Sequence, residues 1–344
     1  MKHTWHLLLL LLLIGCGPEQ QEISIPTEPE WIPLERITSA HLRGMHFISD
    51  SIAWASGTQG TVLLCSDGLH WSEVSVPMAE DQDLRDIHGF DRNNAVAISA
   101  GNGVSIYRTA DGGMTWRVAY EDTHQVVFFD GLDFNASGFG VAYGDPIDGK
   151  MSLLMSKDFG ASWKAVEDSL RPQLDSNEAG YAASGTGIIV TDSHVIIATG
   201  GGPKSRMFVF DLAWNLLEEH LVPIESGAGS GIFSICSQNG RSFIAVGGSY
   251  IDSINATSNC AVSIDGEAWL PITVQNPGGY RSCVSITADE AYAIAVGRTG
   301  SDLTRDGGLT WKSIGEEGYY TCDLNGKSGW AAGRNGKMAR LEWK

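Results

Sequence analysis

Thr109-Ala-Asp-Gly-Gly-Met-Thr-Trp116 is one of three near-identical octets in the chain. The others are Ser156-Lys-Asp-Phe-Gly-Ala-Ser-Trp163 and Thr304-Arg-Asp-Gly-Gly-Leu-Thr-Trp311. Asp67-Gly-Leu-His-Trp71 and Asp265-Gly-Glu-Ala-Trp269 are one residue shorter, and Asp211-Leu-Ala-Trp214 is a degenerate copy. The aspartates stand at 67, 111, 158, 211, 265 and 306, separated by 44, 47, 53, 54 and 41 residues. That period is the length of a four-stranded antiparallel sheet and marks a repeat architecture. Within each copy the residue types fit a tight turn. Asp accepts turn N–H groups, Gly supplies positive φ, and Trp can cover a seam between neighbouring sheets. Asp67, Asp111, Asp158, Asp265 and Asp306, with Trp71, Trp116, Trp163, Trp269 and Trp311, are therefore expected to be structural. Their carboxylates are not expected to be catalytic.

Working outward, each turn is preceded by two short apolar runs and a Gly hairpin. Examples are Leu42–Phe47 then Ile52–Ser56, Leu84–Phe90 then Ala95–Ser99, and Tyr280–Ile286 then Ala291–Val296. Such runs read as buried strands. The hairpins include Gly57-Thr-Gln-Gly60, Gly101-Asn-Gly103, Gly297-Arg-Thr-Gly300 and Gly333-Arg-Asn-Gly336. The repeats span 42–74, 84–120, 126–166, 180–220, 230–272, 280–314 and 319–344. The seventh lacks the Asp turn and the fourth strand. Trp31-Ile-Pro-Leu34 matches Trp269-Leu-Pro-Ile272, so the N-terminal strand is expected to complete the last repeat and close the ring. The expected fold is all-β, a seven-bladed β-propeller over residues 31–344.

Composition agrees. The chain has 344 residues, 42 of them Gly and 11 Trp, with 19% charged residues. So much glycine argues against a helical bundle. The net charge of −18 argues against a nucleic-acid partner, which would need a basic face. At the N-terminus, Lys2 and the apolar run Leu7–Ile14 form a signal-peptide core too short for a membrane span. Leu13-Ile14-Gly15-Cys16 resembles a bacterial lipobox. Residues 1–15 are thus expected to be a lipoprotein signal and Cys16 the lipidated residue, with 16–30 a flexible spacer rich in Pro and Glu. The expected location is extracytoplasmic and membrane-anchored, periplasmic or at the outer membrane. Gly17 after the cysteine favours the outer membrane. Cys65, Cys236, Cys260, Cys283 and Cys322 match no disulfide or zinc framework, and buried thiols are expected.

The octets resemble the Asp-box of BNR-type propellers. Together with Gly329-Trp-Ala-Ala-Gly-Arg-Asn-Gly336, Tyr143-Gly-Asp-Pro146, Ala183-Ser-Gly-Thr186, Gly231-Ile-Phe-Ser234 and Gly279-Tyr-Arg-Ser282, they make residues 31–344 similar to one family. It comprises the bacterial relatives of the photosystem II stability/assembly factor of plants and cyanobacteria. The resemblance implies a seven-bladed propeller that binds protein partners. Many such relatives carry an oxidoreductase label, but no dinucleotide, haem or flavin motif stands in this sequence, and no cofactor is expected.

Loop variation points to one face. The turns between second and third strands are unequal, with Gly144–Lys150, Gly200–Arg206 and Gly247–Asn259 elaborated, and Glu167–Gly180 a long connection. Arg43, Arg85 and Arg281 each follow the first apolar residue of an inner strand, which places all three at the channel mouth. With Asp145 and Lys204 they are the candidate ligand residues, suited to a carboxylate, phosphate or acidic peptide. The bland alternative pairs those arginines with Asp86, Asp130 or Asp323. His46 and His88 are repeat equivalents with no third ligand in phase, so no metal site is expected. The expected function is a membrane-anchored scaffold with a peptide or protein partner on the loop face, of the anionic character the arginines suit, and no catalytic residue is assigned. Two enzymatic readings compete. One is a redox enzyme. The other is a sialidase-like glycoside hydrolase using Tyr181 with Glu178.

Overall fold

The computed structural model describes residues 28–101 and 103–344. The proposed signal, Cys16 and most of the spacer lie outside them. Seven four-stranded antiparallel sheets are arranged as the blades of a propeller. Blade 1 runs outward through Leu42–Ser49, Ile52–Gly57, Val62–Cys65 and Trp71–Glu73. Blades 2 and 3 begin with Asp83–Gly89 and Phe129–Phe134 as inner strands. Those of blades 4, 5 and 6 are Ile188–Val190, Ser230–Cys236 and Cys283–Ile286. In blade 7 the order is Thr321–Asn325, Ser328–Ala332, Met338–Trp343 and then Pro29–Pro33 from the other end of the chain. Trp31 stands opposite Leu341 in that antiparallel pairing. Closure by the N-terminal strand is thus as the sequence suggests. The strand starts at Pro29, however, so Pro29 and Glu30 belong to the sheet and not to a spacer.

The strand patterns explain the layering. Middle strands lie between two blades and are mostly apolar, as in Ala95–Ala100, where all six residues are buried and only Ser99 is polar. Outer strands face solvent on one side and carry charge, as in Leu216–Leu221. The core is a ring of seams. There is one apolar cluster per junction, each drawing side chains from two adjacent blades. All five cysteines among the described residues are free and buried within the sheets.

A second, polar ring runs inside the first. At six junctions a side chain on one inner strand accepts a backbone N–H from the next. His46 Nδ1 takes Gly89 N–H at 3.1 Å, Asp86 takes Leu132 at 2.9 Å, and Asp133 takes Val190 at 2.7 Å. Ser234 takes Val284 at 2.9 Å, Ser285 takes Leu324 at 3.2 Å, and Asp323 takes Phe47 at 2.8 Å. Between blades 4 and 5 the acceptor is the carbonyl of Thr186, 2.9 Å from Ile235 N. Asp86 and Asp323 therefore staple blades together and are not the arginine partners considered above.

Candidate functional site

The seven-fold arrangement leaves a channel with two different ends. Its lower part is a cavity of about 380 Å³ whose wall includes His46, His88, Asp133, Cys236, Ser285 and Asp323. Most of its polar groups already serve the staples or each other. His46 and His88 stack at 4.0 Å, and His88 Nδ1 lies 3.3 Å from Asp133. Burial, with His88 beside it, holds His46 well below the usual histidine range, so the stack is not a pair of cations. No group of three metal-ligating side chains occurs among the described residues.

The upper mouth faces the loops and differs in kind. It holds a cavity of about 460 Å³ lined by Arg43, Arg85, Arg298, Asp130, Asp145 and an aromatic wall. One backbone device supplies much of this lining. The inner strands of blades 1, 2, 3 and 5 each carry a one-residue irregularity near the top. It falls between Leu42 and Gly44, Leu84 and Asp86, Phe129 and Gly131, and Ile232 and Ser234. The residues left out of the ladder are Arg43, Arg85, Asp130 and Phe233. A bulge re-aims its extra side chain, and all four line the mouth cavity.

The arginines are not equivalent. The Arg43 guanidinium lies 4.4 Å over the Tyr320 ring and has no carboxylate partner among the described residues. Burial, with Arg85 beside it, lowers its pKa from the usual range. Arg85 pairs with Asp83 at 3.2 Å and reaches the Ala182 carbonyl at 3.4 Å. Arg298, at the tip of the blade 6 hairpin, stands 5.7 Å over Tyr280 and is exposed.

Arg281 is not at the mouth. It is 2% exposed and points into blade 6, where Nε donates to Asp302 at 2.7 Å. Its Nη1 donates to Thr299 Oγ1 and the Tyr280 carbonyl, both at 2.9 Å. The reason is phase. Arg281 N–H bonds the Gly247 carbonyl of the preceding blade, as Leu42 N–H bonds that of Gly333. Arg281 thus occupies the place of Leu42, one residue before that of Arg43. A one-residue slip turns a strand side chain to the opposite face. Its partner, Asp302, was not among the three aspartates considered.

Of the other candidates, Asp145 lines the mouth cavity, whereas Lys204 is exposed on the blade 4 hairpin and does not line it. The repeated Asp turns sit on the opposite face. Asp111 Oδ1 accepts Thr115 N–H at 2.9 Å, and Thr115 Oγ1 donates to Oδ2 at 2.6 Å. Asp158 and Asp306 repeat both bonds with Ser162 and Thr310. Asp67 and Asp265 accept two successive turn N–H groups each. Burial opposes the shift and is the largest single effect at Asp158 and Asp306, but the turn hydrogen bonds together outweigh it and lower all five carboxyls below the ordinary range.

Tyr181 and Glu178 do not form a pair. Glu178 is 1% exposed, accepts from Arg206 Nε at 2.8 Å and Thr199 Oγ1 at 2.6 Å, and is held inside blade 4. Tyr181 donates to the Ser230 carbonyl at 3.0 Å and stacks on Phe233. The cavity residues that the sequence did not assign to the site include Arg298, Asp130, Phe128, Phe233, Tyr250 and Tyr280. Arg298 had a signal, as a cation at the tip of a short Gly hairpin on the loop face, a place it shares with Arg334 of blade 7. Phe233 had none, since a bulge carries no residue signature there.

No protein-family model matches the chain, and no curated protein matches it in sequence. Among solved structures, a YCF48 bound to D1 peptide is similar with a TM-score of 0.65 and 16% identity, over 92% of this chain and 99% of that one. YCF48 from Cyanidioschyzon merolae is similar with a TM-score of 0.60 and 14% identity, over 91% of this chain and 99% of that one. The chain thus shares its propeller fold, nearly end to end, with YCF48, as the resemblance carried by its repeated turns implies.

Proposed function

We propose that this protein is a membrane-anchored extracytoplasmic scaffold whose loop face captures a peptide segment of a protein partner in the mouth cavity. The observation that carries the reading is the pair Arg43 and Arg298. In a chain of net charge −18, two guanidinium groups lie over aromatic rings at one cavity mouth, with no carboxylate at ion-pair distance from either among the described residues. An arginine held on a ring keeps its donors free for a planar anion. The preferred ligand group is therefore a carboxylate, either a chain terminus or an acidic side chain. A peptide bound to a similarly folded protein favours this class of ligand. The anchor rests on the Leu13-Ile14-Gly15-Cys16 sequence and the export signal before it.

The glycosidase reading loses its geometric basis, because Arg281 and Glu178 are both consumed inside blades. The test is site-specific photocrosslinking from Tyr250, which lines the cavity and is 43% exposed. A crosslinker at that position in membrane preparations is expected to trap a discrete partner. The adduct is expected to fall at least about tenfold in an Arg43→Ala/Arg298→Ala variant whose melting temperature is unchanged. An undiminished adduct would exclude the mouth arginines as the binding site.

A further inference from the structure

The acidic side of the mouth cavity has no use for a carboxylate ligand. Asp130 is the bulged residue of blade 3 and is 1% exposed, yet its Oδ2 has no hydrogen-bond partner. The backbone makes room for that oxygen. A Cβ at Gly180 would stand 2.4 Å from Oδ2 and 2.6 Å from the Tyr143 ring. Asp145, from the second strand of the same blade, lines the same cavity. Burial, then the charge of Asp145, pushes Asp130 well above the ordinary carboxyl range, and burial raises Asp145 too. Arg85 is the cation nearest in effect; its Nη groups are bound to Asp83 and the Ala182 carbonyl, and its buried Nε, though unpartnered, makes no hydrogen bond to Asp130. A buried carboxyl with an unused acceptor is costly unless something fills it.

The same cavity has an aromatic wall. Phe233 stacks on Tyr181 at 3.7 Å and meets Tyr280 edge-on at 4.7 Å. Aromatic faces attract cations and repel anions. Carboxyls beside such a wall fit an ammonium or guanidinium group. The cavity volume of about 460 Å³ lies within the range of ligand pockets and leaves room for more than one side chain.

We infer that Asp130 and Asp145, walled by Tyr181, Phe233 and Tyr280, form a subsite for a basic side chain of the captured peptide. The inference rests on the peptide-binding reading and sharpens it. The ligand class becomes a segment that carries both a carboxylate, held by Arg43 and Arg298, and a Lys or Arg a few residues away. The two ends of the cavity then set orientation as well as composition, since reversing the peptide would place like charges together.

The test uses the full chain and a library of random heptapeptides displayed with free carboxyl termini. Selected peptides are expected to carry Lys or Arg at one fixed position. In fluorescence anisotropy, replacing that residue by norleucine is expected to weaken binding about tenfold or more. Asp130→Asn and Asp145→Asn should each weaken the Lys peptide similarly and leave the norleucine peptide unchanged, so the losses do not add. A merely structural Asp130 would weaken both peptides alike. Peptides selected without a basic residue, or a Lys peptide indifferent to Asp130→Asn, would overturn the subsite. If amidation of their terminus still abolished binding, peptide capture itself would stand. Failure of the wild-type chain to enrich any peptide would overturn both.

Discussion

Asp323 shows how much one inner-strand residue carries. Its Oδ2 accepts Phe47 N–H across the junction between the last blade and the first, and its Oδ1 accepts Leu324 N–H and Ser285 Oγ. Burial outweighs those donors and raises its pKa to about 6. The unfolded chain titrates this group near its ordinary value, about two units lower. Asp323 therefore adds stability that is fully present below pH 4 and is lost as pH rises through 6. The expected outcome is that Asp323→Asn costs more at pH 5 than at pH 8, by roughly 1 kcal/mol after allowance for channel water. Urea unfolding of both chains at the two pH values reads this directly, and equal costs would contradict it. The sequence showed Asp323 only as a possible arginine partner. Its true role depends on which backbone N–H the next blade presents, and no local pattern states that. Arg281 failed for a related reason. Tyr280-Arg-Ser-Cys looks like Leu42-Arg-Gly-Met, but the ladder places Arg281 level with Leu42. Residue type was legible at the mouth, while phase was readable only where the bulge kept step with the motif.

Turns and strands were more legible than sites, because their causes are local. The octet around Asp111 encodes its own hydrogen bonds: Thr109 Oγ1 donates to Asp111 at 2.9 Å and accepts Gly113 N–H at 2.9 Å. Both groups lie within four residues, so the pattern survives any change elsewhere in the fold. The tryptophan that ends the octet does work between elements. Trp116 is buried, meets Trp54 edge-on at 6.4 Å, and donates from Nε1 to the Val74 carbonyl of the preceding blade at 2.9 Å. Trp116→Ala is expected to cost about 3–5 kcal/mol by cavity formation and loss of that bond. Trp116→Phe, which keeps most of the packing, should cost about 1–2 kcal/mol. Trp71 occupies the matching place in blade 1 but is less buried, and its Nε1 has no protein partner. Trp71→Phe should therefore cost less than Trp116→Phe in chemical denaturation. A reversed order would show that seam burial does not govern these positions. The bulges were the element-level feature that stayed hidden. An extra residue in a strand leaves composition and period nearly untouched, although here it sets the cavity lining.

At the scale of the whole molecule, stability depends on closing a ring. Every blade buries apolar surface only against its neighbours, so an open ring would expose two faces at once. The inner staples join blade 7 to blade 1 through Asp323, and the outer strand joins the two ends of the chain. That strand does more than extend a sheet. Trp31 is 7% exposed, packs in one cluster with Tyr292, Leu303 and Tyr319, and donates from Nε1 to Ser301 Oγ of blade 6 at 3.1 Å. Pro29–Pro33 thus covers the seam between blades 6 and 7 and occupies the edge of Met338–Trp343, which would otherwise be free to pair with another chain. Deleting residues 1–33 is expected to lower the unfolding midpoint in one cooperative transition and to yield oligomers through the bared edge. Trp31→Ala keeps the edge covered but removes the packing. It should lose about 3–5 kcal/mol while staying monomeric. A synthetic peptide spanning residues 28–34, added to the truncated chain, should restore both monomer and midpoint, as read by light scattering and thermal melting. If the truncated chain remains monomeric and melts with the intact one, the ring is held by its inner staples alone and the terminal strand is dispensable.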